Sequence, residues 1–417
     1  MSPEATKSQD SPPIVLRNVL VPKALLRKPE RFGGITEQDC LRGDLTIHQG
    51  HAQRLTPAPA GPAPRMMMPA LVEAHCHLDK CHTIGRMARV GGDLSAALEA
   101  QRRDKANWTA TDLRQRMAKG LSEFEQSGCG AVRSHIDWGD AATPPLAWSV
   151  LGDLAPDHPG LVLQSAALIG IAQLADPQFC ADAAKAVSAR DGGVMGAFIL
   201  DHEKEDIKEG LANAFAAAER YGFALDFHVD EGLGAFNGLE TICDTAIETG
   251  FQGPILCGHA VSLMDRQGSA FTRLIDKLLR TNVTICALPT TNLYLQGRTS
   301  GTPDRRGITR LKELHGAGVP IAVGSDNVAD AFCPMGQHDP RAALHLAALA
   351  AHLDPPMGEW LPAITLNSAC AMGLAAPFIE DTPLNDLRLC RAANTSDLTS
   401  VRLPLLPLSQ HPEVQPA

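Results

Sequence analysis

A (β/α)8 TIM barrel with a small β-sandwich domain built from the N- and C-terminal segments is the fold this sequence predicts, and three observations carry it. From about residue 66 to 373, apolar β-branched runs bounded by turn residues alternate with helical patterns, the signature of parallel strands and crossover helices. The runs number eight: "MMMPALVEAH", "GAVRSHIDW", "LVLQSAALI", "GVMGAFIL", "FALDFHVDE", "PILCGHAV", "VTICALPTT" and "VPIAVGSDN". No glycine-rich fingerprint follows the first of them, which argues against a doubly wound open sheet.

Taken in order, residues 1–13 ("MSPEATKSQDSPP") read as a flexible polar tail. Residues 14–65 hold the strand-like pieces "IVLRNVLV" and "DLTIHQG" between Pro- and Gly-rich turns, and form the first part of the small β domain. Residues 66–373 form the barrel. Its helices include "TDLRQRMAKGLSEFEQSG", "IKEGLANAFAAAERYG", "FTRLIDKLLRTN" and "ITRLKELHGAG", with apolar residues at three- and four-residue intervals and Gly or Asn near their ends. Residues 374–417 offer only "DLRLCRA" and "TSVRLPLLPL", which complete the small domain from the other end of the chain.

Composition narrows the function. The 417 residues are 44% hydrophobic and 20% charged, as in a soluble globular protein, and the net charge of -10 comes with no Lys/Arg cluster, which removes nucleic acid as a partner. No window approaches the roughly 18 uninterrupted apolar residues of a membrane helix, and the N-terminus lacks a signal peptide's apolar core, so a cytoplasmic location away from membranes is expected. Eleven scattered cysteines without a C-x-x-C pair read as reduced thiols.

In such a barrel the active site forms at the C-terminal ends of the strands. Five of the eight runs end in polar, chemistry-bearing residues there: "HCHLDK", "SHIDWGD", "HVDEG", "GHA" and "SDN". His75 and His77, two apart on a strand, point to one side and can converge on one ion, while Cys76 faces the other way. An H-x-H at a strand edge can also be incidental. His228 and Asp326, on later strand ends, would complete an N/O ligand set for one zinc or ferrous ion with a place left for water. Glu231 stands where a carboxylate could move protons during C–N hydrolysis, or be a solvated loop glutamate. His259 could polarise the oxygen arriving from water, or be a core histidine bonded to backbone.

On "PALVEAHCHLDK", "SHIDWGD", "HVDEG", "GHAVSL", "LQGRTSGTPDRRGITRLKE" and "VGSDNVADAFCPMG", residues 66 to 373 resemble the amidohydrolase superfamily, within it the bacterial cytosine deaminase-like branch. The resemblance implies that His75, His77, His228 and Asp326 hold one divalent metal, zinc or iron. It also implies that Asp326 and His259 orient a metal-activated water, and that Glu231 carries protons to the ring nitrogen and the departing ammonia. "GVMGAFIL" has no lysine to bridge two metals, so the site is expected to be mononuclear.

The departures concern the substrate. Leu168 stands where cytosine deaminases of this branch carry a glutamine that pairs with the pyrimidine edge. Losing those hydrogen bonds would cost about 1 to 3 kcal/mol, so cytosine itself is not expected. Asn327 replaces a second aspartate, and Phe332 a tryptophan over the pocket. Lys80 and "SDN" instead resemble the N-isopropylammelide amidohydrolases, which lack the glutamate found here as Glu231. Lys80 could equally be a rim lysine in a salt bridge, and Gln296 and Arg298 could brace their loop or reach substrate. The "H-x-E … P-C-x-x-C" pattern of the other zinc deaminases is absent. The segment "APFIEDTPLNDLRLCRAANTSDLTS" fits the family's closing strands only loosely, which suggests a reduced small domain. The reading that results is a hydrolase deaminating a small nitrogen heterocycle. Its alternatives are alkylamine release from a triazine, cleavage of a cyclic amide, and a non-catalytic metal-binding barrel. The partners expected are a heterocyclic substrate and further copies of the chain.

Overall fold

The computed structural model describes residues 13–58, 65–88, 90–199, 204–234 and 236–410. The expected polar tail, except for Pro13, lies outside them. The chain divides into two compact units, one of residues 71–354 with 362–376 and one of residues 1–70, 355–361 and 377–417.

The larger unit is an eight-stranded parallel barrel. Its strands are β1 (Leu71–Cys76), β2 (Cys129–Asp137), β3 (Val162–Gly170), β4 (Gly193–Ile199), β5 (Leu225–Val229), β6 (Ile255–His259), β7 (Val283–Ala287) and β8 (Ile321–Val323), each paired with the next in sequence. Closure between β8 and β1 comes just past the end of β8, where Cys76 bridges Asp326 and the Asp326 N–H donates to the His75 carbonyl at 3.0 Å. All positions of β1, β5, β6, β7 and β8 are buried, as expected of parallel strands covered on both faces.

The first predicted run, "MMMPALVEAH", is two strands rather than one. Arg65–Pro69 belongs to the smaller unit, where it pairs antiparallel with Leu387–Cys390 and parallel with Ile14–Pro22; the barrel begins at Leu71. Both pieces are almost wholly buried, so apolar continuity cannot separate them. Pro69, which has no N–H to donate, marks the break.

Two helices between β1 and β2 shape the site. α1 (Leu94–Asp104) starts at Asp93, whose side chain accepts from the Ala96 N–H. α2 (Ala110–Ser127) starts at Thr109, which accepts from the Asp112 N–H, and stops at Gly128, whose φ of +93° suits glycine. No described helix is long and apolar enough to cross a membrane.

The smaller unit is a seven-stranded mixed sheet. Its order is Leu406–Pro407, Leu387–Cys390, Arg65–Pro69, Ile14–Pro22, Cys40–His48 and Ile35–Glu37, with His51–Thr56 also on Cys40–His48. Asp39 binds its separated pieces, accepting from the Gly358 N–H at 2.8 Å and from the Thr395 hydroxyl at 2.7 Å.

Candidate active site and metal centre

Alternate residues of the barrel strands build a polar interior in layers. Arg133, wholly buried on β2, donates to Gln164 of β3 at 2.8 and 2.9 Å and to Asp226 of β5 at 2.8 Å. The other oxygen of Asp226 lies 2.8 Å from His135 Nε2, and the His135 ring packs 4.0 Å from that of His75. Two residues along the same strands come the groups at the rim, His77 after His75 and His228 after Asp226. The period of two therefore places support and site on the same inward face.

At the rim, His77 Nε2 lies 3.1 Å from His228 Nε2 and 3.2 Å from Asp326 Oδ1, while His75 Nε2 lies 3.7 Å from that oxygen. Burial holds His75, His77 and His228 well below the ordinary histidine range. Neighbouring imidazoles push His75 and His228 the same way, and the Lys80 ammonium does so for His77. Burial raises the Asp326 carboxyl against the opposing pull of His259. Both Asp326 oxygens and both His75 nitrogens are buried without a hydrogen-bond partner. Four neutral or anionic donors, converging and otherwise unsatisfied, fit a divalent cation of the zinc or iron class. Asp326 sits in the left-handed region (φ +57°), as does His259 (φ +69°), a strained geometry that turns strand-end side chains inward.

Glu73 holds this cluster from below. Its carboxylate is wholly buried and accepts from the backbone N–H of His75 at 2.9 Å and of Ser325 at 3.0 Å, so one side chain clips β1 to the chain leaving β8 beside Asp326. Burial raises the Glu73 carboxyl to about 8. Gly258 on β6 leaves room for the His75 ring, since a Cβ there would come within 2.7 Å of it.

Glu231 is buried above the cluster. Burial and the nearby Asp326 raise its carboxyl to about 8, against the pull of Lys80. Its Oε2 lies 3.7 Å from His259 Nε2. On the far side of that ring, the Asn292 side-chain amide N lies 3.0 Å from Nδ1. The amide can only donate there, which leaves the His259 proton on Nε2, facing the cluster. Asp230, the neighbour of Glu231, has a structural role instead, because its side chain accepts from Gly238 and Leu239 N–H and from the Ser262 hydroxyl.

These groups open onto a cavity of about 380 Å3. Lys80, Leu168, Asn327 and Phe332 are all on its wall, together with His77, His228, Glu231, His259 and Asp326; His75, fully buried, is not. Lys80 makes the salt bridge raised as its alternative role, to Asp137 at 2.9 Å, and also lies 4.9 Å from the centre of the Phe332 ring. Lys105 holds the other Asp137 oxygen at 2.9 Å. Burial alone would raise the Asp137 carboxyl, but the two ammonium groups outweigh it and hold it well below the ordinary range. Asn327 donates through its side chain to Asp330 at 2.7 Å, and Asp330 also accepts from the Phe332 N–H, so one buried carboxylate sets both wall residues. Gln296 and Arg298 are not on the wall; Arg298 stacks over Tyr294 at 4.4 Å.

Sequence reasoning misses His135, Asp137, Lys105, Glu73, Asn292 and Asp330. The spacing rule that picks out His75 and His77 applies equally to His135 and Asp137, two apart in "SHIDWGD". Glu73 shares that spacing with His75 but lies mid-run; the others carry no such signal.

A closed parallel barrel with a polar strand-end cluster of this kind defines a metal-dependent hydrolase. The chain belongs to the amidohydrolase family, whose model matches residues 91–376, and is an amidohydrolase acting on C–N bonds. It is 32% identical over 379 residues to a pterin deaminase of Rhizobium rhizogenes, covering 87% of this chain and 85% of that protein. Among solved structures, 5-methylcytosine deaminase from Klebsiella pneumoniae liganded with 5-fluorocytosine superposes with a TM-score of 0.78 at 23% identity, over 94% of this chain and 95% of that one. N-isopropylammelide isopropylaminohydrolase from Burkholderia multivorans gives 0.69 at 21%, over 94% and 97%. At these identities the two structures speak for the fold.

Proposed function

We propose that this protein deaminates an amino-substituted nitrogen heterocycle of two fused rings, of the pterin class, at a single zinc or iron ion held by His75, His77, His228 and Asp326. The observation that carries deamination is the buried Glu231, raised to about 8, on the cavity wall beside a convergent cluster in which both Asp326 oxygens and both His75 nitrogens lack hydrogen-bond partners. A general acid and base works best when its pKa lies near the working pH. One feature supports the two-ring substrate: the cavity of about 380 Å3 leaves room beyond a single pyrimidine. The 32% identity to a pterin deaminase points the same way.

When bound, the cation supplies a nucleophile at neutral pH by lowering the pKa of a water. Glu231 would take protons from the attacking water and deliver one to the ring nitrogen and one to the departing amine, so that the C–N bond breaks with release of ammonia and a carbonyl remains. His259, protonated on Nε2, donates to the oxygen that arrives at the ring carbon. Lys80, fixed by Asp137, presents its ammonium to the ring's acceptor edge, and Phe332 and Leu168 cover the ring faces.

Glu231→Gln should keep about one metal per chain yet lose on the order of 100-fold or more in kcat, the usual contribution of positioned proton transfer. Turnover unchanged in that variant would remove the proton shuttle. Ammonia release from a panel of aminopteridines, aminopyrimidines and aminotriazines tests the substrate. Preference for single rings, or release of an alkylamine or a ring-opened acid in place of ammonia, would replace this reading.

A further inference from the structure

We propose that His82, Glu123 and His338 form a second cation site, apart from the catalytic centre, for a divalent ion of the zinc class. His82 Nε2 lies 3.1 Å and His338 Nδ1 2.6 Å from the same oxygen of Glu123, and the three donor atoms all lie within 4.8 Å of one another. The two rings face each other edge-on, 5.4 Å apart at 68°. None of the three residues belongs to the catalytic ligand cluster or lies on the cavity wall.

The donors have the right chemistry and the right access. Ligand atoms around a tetrahedral zinc, each about 2.0–2.1 Å from the ion, stand roughly 3.3 Å apart, and the two His–Glu123 pairs already stand close to that spacing, with the two imidazole nitrogens within 4.8 Å of each other. The His338 side chain is fully buried and that of His82 is 14% exposed, whereas Glu123 is 32% exposed and opens the site to solvent. Burial lowers both imidazoles below the ordinary histidine range, and the His338 hydrogen bond holds the Glu123 carboxyl below its usual value. Two neutral imidazoles and one carboxylate make a three-ligand zinc set with a fourth place for water.

Lys119 is the opposing group. Its ammonium lies 3.4 Å from His82 Nδ1 and 3.8 Å from Glu123, but its side chain is 61% exposed and can turn into water as the ion enters. His82 also holds a left-handed backbone (φ +58°) while its N–H donates to the Val328 carbonyl at 3.1 Å, a conformation that aims the ring at Glu123. The three ligands come from the loop after β1 just beyond Lys80, from α2, and from the loop after β8 beyond Phe332. An ion there ties together the two loops that carry much of the cavity wall, whatever bond the catalytic centre cleaves.

The test is metal content of the full chain, already holding one equivalent at the catalytic centre, after dialysis against buffered micromolar free zinc. Wild type should take up a second equivalent. Glu123→Gln, nearly isosteric, and His82→Ala, on a half-open loop, should each lose that second equivalent and keep the first. No second equivalent in wild type overturns the proposal. So does one that persists in either variant, which would make it an adventitious ion only. Cobalt on the unaltered chain gives a readout that needs no variant: a second absorbance of four- or five-coordinate intensity is expected, and a weak octahedral one overturns the site.

Discussion

At the level of single side chains, Glu73 matters as much as the ligands it supports. Both of its oxygens accept backbone N–H groups, one from His75 and one from Ser325 beside Asp326. Glu73→Gln would replace one acceptor by an amide that can only donate, leaving a buried N–H unmet at a cost of about 1–3 kcal/mol. The purified variant is therefore expected to melt lower than wild type and to retain less metal. Equal Tm and equal metal content would show that the clip between β1 and β8 is dispensable. His75, His77, His228 and Asp326 are legible in the sequence because each ends an apolar run, where a polar residue has no packing reason to be. Glu73 is not, because it sits in the middle of an apolar run rather than at its end, although its spacing from His75 puts it on the same inward face. Asp230 and Glu231 are the reverse case: adjacent acids in one motif, one capping a helix and the other facing the cluster, which only the direction of the strand end separates.

At the level of elements, α1 is held over the cavity, with Leu94 and Leu98 on its wall and Lys105 just after it, by a charge network at its C-terminal end. Arg86 donates to both oxygens of Asp104 at 2.7 and 2.8 Å and also to Asp112, while the Trp108 indole donates to Asp104 at 2.9 Å. Burial raises the Asp104 carboxyl, but the hydrogen bonds from Arg86 and Trp108 outweigh it, and its pKa lies below the ordinary value. A carboxyl depressed by folding stabilises above its unfolded pKa of about 3.9 and loses that contribution as pH falls through the folded value. The protection of the α1 amides, exchange by mass spectrometry normalised to the intrinsic rate at each pH, should therefore fall on acidification below about pH 4 before the barrel opens. Asp104→Asn should raise exchange at pH 7 and flatten the acid response; exchange that ignores both would mean the helix is held by packing alone. An aspartate at a helix C-terminus opposes the helix dipole, so nothing local predicts it, and its reason is the distant Arg86. The strands read well from sequence, with one failure at Pro69, where two buried strands of different sheets follow one another without a polar gap.

At the level of the whole barrel, a cation on the proposed ligands would join the ends of β1, β5 and β8. Binding there would stabilise the folded state by mass action, about 4 kcal/mol when free metal stands at a thousand times Kd. Chelation should lower the barrel's Tm in calorimetry, and zinc or iron should restore it. Equal Tm in chelator-stripped and metal-loaded protein would mean that the cluster does not hold an ion.

Alternation along a strand is a property of the backbone, and residues two apart share a face wherever the strand ends up. That is why a (β/α)8 barrel, an H-x-H pair and the rim position of the four proposed ligands can be read from the chain alone. What cannot be read depends on closure. Glu73 meets Ser325 across 252 residues, and Arg133 meets Asp226 across 93, because the barrel returns on itself at a particular register. The same closure sets Lys80 and Lys105 on one carboxylate, turns Asn327 toward Asp330, and leaves a cavity of about 380 Å3. Local periodicity places the catalytic groups; contacts between distant strands and loops hold them in place and shape the space a substrate enters.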